Sequence, residues 1–118
     1  MAPDGFFALQ DAKGRSNFFA EGDRGTMPIK RFTRKLQAYA AYYAQKKHTD
    51  KFGIKHFRVL TVTTSAERMR SLANACSQLK TGHGLFLFTD RASLEKSGDM
   101  FPLRWHTGRS GETATLLN

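Results

Sequence analysis

Several residue types that would point to particular functions are scarce in this sequence. A single cysteine, Cys76, excludes an internal disulfide and suits a reducing, cytoplasmic setting. The four histidines, His48, His56, His83 and His106, are scattered and have no cysteine partners at zinc-finger spacing. No apolar run approaches the roughly 20 residues that cross a bilayer, so no membrane partner is expected. The opening MAPDGFFALQDAKG lacks the basic and apolar stretches of a secretory signal. Repeats, low-complexity tracts and a phosphate-binding glycine loop are missing too; GHG at 82–84 does not make one. Acid is the other shortage, with 10 Asp and Glu against 19 Lys and Arg. The length of 118 residues suits one domain with a modest core.

The excess base is concentrated. Between Arg24 and Arg58 stand ten bases and one acid, so this segment carries the whole net charge of +9. The remaining nine bases and nine acids cancel. A footprint of this kind suits a phosphate backbone, and DNA is the expected partner. A basic surface that only keeps the protein soluble is the plainer alternative.

Hydrophobic periodicity places the elements. Phe6–Gln10 and the segment NFFAEGD read as two strands of a hairpin. Thr26 is a candidate helix cap, and Ile29, Phe32, Leu36, Tyr39, Ala40 and Tyr43 form one apolar stripe on a helix spanning about 28–47. FRVLTVT at 57–63 reads as a buried strand. Ser65 caps a helix whose inner face is Met69, Leu72, Ala73, Cys76 and Leu79. GLFLFTD at 84–90 is another apolar strand, and FPLRWH suggests an edge strand. The order ββαβαβ(β) predicts an α/β fold with a mixed sheet flanked by helices. One domain is expected over 1–106, with a loose tail over 107–118. The phenylalanines are expected to pack the sheet, and Cys76 to pack a helix face.

Asp4 precedes the first strand; Glu21 and Asp23 share one face near the end of the second. A hairpin brings these ends level, so the three carboxylates are expected to converge at one sheet edge. Hard oxygen ligands of this kind suit Mg²⁺ or Mn²⁺, which polarises a phosphodiester and activates water. Lys35, at the margin of the helix stripe, is placed to stabilise charge developing on the phosphate. Arg24, Lys30, Arg31, Arg34, Lys46 and Lys47 are expected to hold the DNA backbone without reading sequence. Plainer roles fit the same residues. Asp4 suits an ordinary turn, Asp23 a pair with Arg24 or a turn contact, and Lys35 a stem lying along apolar surface.

An Asp, a strand ending in Glu-x-Lys, a helix and then βαβ form the core pattern of the PD-(D/E)XK, restriction-endonuclease-like superfamily, which this order resembles. More narrowly, PDGFF…FFAEGDRGTMPIKRFTRKLQAY…FRVLTVTTSAER resembles the C-terminal, nuclease-like region of the replication-relaxation family of plasmid, phage and mobile-element proteins. The resemblance runs from about Pro3 to Leu72. It implies a restriction-endonuclease-like fold, with Asp4 and Glu21 as metal ligands. Asp23 stands where the superfamily usually has lysine. That departure implies a third ligand at Asp23, with Lys35 as a relocated lysine and Tyr39 four residues on. Members of the replication-relaxation family carry a winged helix before this region. Its absence here leaves a fragment, a short form, or a subunit completed by an upstream DNA-binding partner or a second copy as readings. Metal-dependent DNA cleavage is the leading expectation. A binding module that has lost cleavage, or a protein-interaction subunit with an acidic partner, are the alternatives.

Overall fold

The computed structural model describes residues 4–11, 14–45, 57–80, 82–109 and 111–116. Among these, six strands form one mixed sheet in sequential order, accompanied by three α-helices. Strands β1 (Gly5–Asp11) and β2 (Gly14–Gly22) form the expected antiparallel hairpin. Helix α1 (Ile29–Ala44) leads to β3 (Arg58–Thr63), which runs parallel to β2. Helix α2 (Ala66–Ser77) leads through a 3₁₀ turn at His83–Leu85 to β4 (Phe86–Asp90), parallel to β3. A short helix α3 (Arg91–Ser97) follows, and β5 (Trp105–Thr107) and β6 (Thr113–Ala114) close the sheet antiparallel.

Strand alternation sorts the side chains into two cores. On one face Phe19, Val59, Phe86 and Phe88 meet Phe32, Leu36 and Tyr39 of α1 and Met69, Leu72 and Cys76 of α2. On the other, Phe18, Leu60, Leu87 and Trp105 meet Leu116, with Met100, Phe101 and Leu103 packed against them. Both faces of the parallel strands are covered, which is why β4 is buried along its whole length and reads as an unbroken apolar run. Each large side chain so buried contributes about 1.5–3 kcal/mol relative to exposure.

Four local expectations change. Thr26 does not cap α1. Its N-cap is Pro28, and no side chain caps it. Proline locks φ and has no N–H to leave unpaired, so it can start the helix alone. Helix α1 ends at Ala44 among the described residues, and Lys46 and Lys47 lie outside them. Of the stretch after 107, residues 111–116 are docked rather than loose. Its β6 pairs with β5, and Arg58 Nη2 donates to the Leu116 carbonyl at 2.8 Å. Burial of Leu116 against Trp105 supplies the reason, since two polar-looking residues of strand need little sequence signal once an apolar anchor follows. Helix α3 is an element that periodicity misses, because seven residues make too short a stripe. Ser65, by contrast, caps α2 as expected, accepting from Arg68 N at 3.1 Å.

Candidate active site

The three parallel strands end at one side of the sheet, at Gly22, Thr63 and Asp90. In open α/β sheets this is the side on which ligands bind. The predicted carboxylates are here, in two separate environments.

Glu21 is buried against α1. Lys35 and Tyr39 stand one helical turn apart on the same side of α1, and each serves a different oxygen of Glu21. Lys35 Nζ lies 2.7 Å from Oε2, and the Tyr39 hydroxyl donates to Oε1. The Tyr39 phenol is pushed well above its ordinary pKa, first by burial, then by its hydrogen bond to Glu21 and the charges of Glu21 and Asp4. It therefore keeps its proton and acts as a donor. Asp4 Oδ2 accepts from the Gly22 backbone N–H at 2.8 Å, which ties the start of β1 to the end of β2. The hairpin thus brings Asp4 to Gly22, the residue that follows Glu21.

Asp23 faces α2 instead. Arg68 donates to it from Nε at 3.0 Å and from Nη2 at 3.3 Å, and the Thr63 hydroxyl donates as well. A fourth donor is the Gly25 backbone. Burial raises the Asp23 pKa, but the Arg68 and Thr63 hydrogen bonds and the Arg68 charge outweigh it and hold the carboxyl below its usual range. Arg68 Nη2 also donates to the Met27 carbonyl at 2.6 Å. Asp23 therefore pairs with Arg68 rather than Arg24, and it pins the turn between β2 and α1. That turn needs a glycine at its middle. Gly25 has φ +80°, and a Cβ there would meet Thr64 Oγ1 at 2.9 Å.

A count of lone pairs separates the two acids. A carboxylate offers about four acceptor sites. At Asp23 four donors fill them. Among the described residues Glu21 receives two donors and Asp4 one, so on this count acceptor sites are left at both. No group of three or more His, Cys, Asp or Glu side chains placed to hold a metal occurs among the described residues. The donors present fit an Asp4–Glu21 pair completed by water, a pattern Mg²⁺ accepts, and not the three-carboxylate cluster.

Arg24, Lys30, Arg31 and Arg34 are exposed. At 3.6 residues per turn, Lys30, Arg34, Arg31 and Lys35 fall in that order around α1, from its solvent side to the flank beside Glu21. Sequence reasoning missed Arg68 and Thr63. Their signal was positional. Thr63 ends the strand next to β2, and Arg68 lies in the first turn of the helix after it. Both stand at the end of the sheet where Asp23 emerges.

Among the described residues no helix is long and apolar enough to cross a membrane. The model of the replication-relaxation family matches residues 1–56, just under half of the chain. No curated protein and no solved structure matches it. The matched span contains Asp4, Glu21, Asp23, Lys35 and Tyr39, so both carboxylate environments begin within it.

Proposed function

We propose that this chain is a DNA-processing protein of the replication-relaxation family, with a restriction-endonuclease-like fold, that cleaves phosphodiesters in plasmid or mobile-element DNA. The observation that carries this reading is the corner at which Glu21, Lys35 and Tyr39 meet beside a basic helix face, with Asp4 bonded to the adjacent Gly22. The hairpin, helix and parallel strand that assemble it follow in the order the superfamily uses. The family match over residues 1–56 supports it independently.

Asp4 and Glu21 would hold Mg²⁺ or Mn²⁺, which when bound polarises the phosphodiester and supplies an activated water. The chain's own residues do the rest. Gly22 N–H fixes one oxygen of Asp4. Tyr39 holds Glu21 from beneath through a proton it does not give up. Lys35, whose side chain is 36% exposed, stands between Glu21 and solvent. Its ammonium is therefore placed where a phosphate oxygen gaining charge would lie, in the position of a relocated lysine. Arg24, Lys30, Arg31 and Arg34 hold the backbone through charge and confer no sequence preference.

The test is Mg²⁺- or Mn²⁺-dependent cleavage of single-stranded, duplex and branched DNA by wild type and Glu21→Gln, with binding followed in parallel. Cleavage lost in the variant with binding kept supports the reading. Binding without cleavage in either protein favours a module that retains the basic face alone. Absence of both contradicts a DNA role for this chain.

A further inference from the structure

We infer that Arg91, a residue of the helix that periodicity misses, binds a phosphate of the DNA strand together with Arg24, in a cleft beside Asp4. This inference rests on the DNA reading above and names a further contact for it. A cavity of about 560 Å³ opens at the carboxyl ends of the parallel strands, lined by Asp4, Gly22, Arg24, Thr26, Val62 and Arg91 among others. Gly22 ends β2, Val62 stands next to the last residue of β3, and Arg91 follows directly on β4. The cleft is therefore built by the sheet itself.

Two arginines, Arg24 and Arg91, and two carboxylates, Asp4 and Asp23, line it, and the carboxylates' partners decide which charge is left open to a ligand. Asp90, adjacent to Arg91, is turned onto its own helix. It accepts from Ser93 N at 2.9 Å and from Ser93 Oγ at 2.8 Å. Asp23 is filled by Arg68, Thr63 and Gly25. Of the two carboxylates lining the cleft, Asp23 is thus engaged elsewhere, as is the neighbouring Asp90. Arg58, Arg68, Arg104 and Arg109 all have hydrogen-bond or ion-pair partners. Arg24 and Arg91 are exposed, and neither has one among the described residues. Arginine suits phosphate because its planar fork donates two parallel bonds. Arg24 lies in the turn that leads into α1, whose exposed Lys30, Arg31 and Arg34 follow it in the chain.

The experiment measures binding of labelled single-stranded and duplex oligonucleotides by fluorescence anisotropy across a salt series. The proteins are wild type, Arg91→Gln, Arg91→Lys and Arg70→Gln. Arg70 is an exposed arginine on α2 outside the cleft. For Arg91→Gln the inference predicts several-fold weaker binding. The slope of log affinity against log salt should become shallower by about 0.9 on duplex or about 0.7 on single strand, the amount for one phosphate contact. Arg91→Lys should restore most of the slope, and Arg70→Gln should match wild type. If Arg91→Gln also matches wild type while Lys30→Gln/Arg34→Gln loses affinity, Arg91 is outside the site and the DNA reading stands. Absence of salt-dependent binding in wild type overturns both. A competition arm at fixed ionic strength adds inorganic phosphate. Phosphate that binds wild type but not Arg91→Gln, without displacing DNA from wild type, would show that the cleft takes a free phosphate, and would overturn the assignment to a strand.

Discussion

Glu21, near the end of β2, and Asp23, just past it, are two residues apart and both buried, yet the structure uses them in different ways. Asp23 has all its acceptor sites filled by an arginine, a hydroxyl and the backbone. It joins the β2–α1 turn to α2. Glu21 has a lysine at the solvent edge and a neutral phenol, with acceptor sites to spare among the described residues. The contrast teaches that a buried acid's role is set by how many donors reach it, more than by its own position. A saturated carboxylate is part of the scaffold. An unsaturated one beside a solvent-edge cation is placed for chemistry.

The comparison can be broken most forcefully at Arg68. Arg68→Met strands Asp23 as a buried charge, and we expect a loss of about 3 kcal/mol or more in urea unfolding, because removing one partner of a buried pair leaves the other uncompensated. Stability of this size lost from Glu21→Gln instead would reverse the assignment of roles.

Acid should sharpen the same contrast. Asp23 has its pKa lowered on folding from an ordinary value of 3.8. Its contribution is therefore complete above that value and is lost as pH falls through the lower folded value. In Arg68→Met burial acts with less opposition, so protonation of Asp23 becomes favourable to folding. The stability gap between wild type and Arg68→Met should narrow as pH falls below about 4. A gap that is constant with pH would mean that Asp23 is not the group Arg68 serves.

Gly25→Ala comes next in size. A side chain at positive φ is strained, and the Thr64 hydroxyl already occupies the space. A cost of about 1–2 kcal/mol is expected by thermal or chemical unfolding.

The smallest stability effect belongs to Lys35→Met. The pair with Glu21 reaches solvent on the lysine side, and ion pairs open to water contribute about 0–1 kcal/mol. Unfolding should barely change, while any metal-dependent cleavage should fall steeply. A large stability loss without a change in cleavage would make Lys35 a structural residue.

Much of this arrangement was legible in the sequence. The apolar stripes gave α1 and α2, and the hairpin, with Asp4 brought to the end of β2, followed from strand alternation and a short connection. The Lys35–Tyr39 spacing put both on one side of the helix. Asp23's partner was not legible, since Arg68 is 45 residues away in sequence and only the parallel β2–β3 pairing brings it near. Periodicity also had no purchase on α3, and so Arg91 went unseen. The docking of the C-terminal stretch depends on Leu116 finding Trp105 across the sheet, a contact that local pattern does not encode.

The most direct test of the difference between the two acids is Mn²⁺ titration of wild type, Glu21→Gln and Asp23→Asn, each shown to be folded by circular dichroism at the temperature used. The account predicts that Asp23→Asn binds Mn²⁺ like wild type despite its lower unfolding midpoint, and that Glu21→Gln binds it at least tenfold more weakly. Loss of Mn²⁺ binding in folded Asp23→Asn as complete as in Glu21→Gln would contradict it.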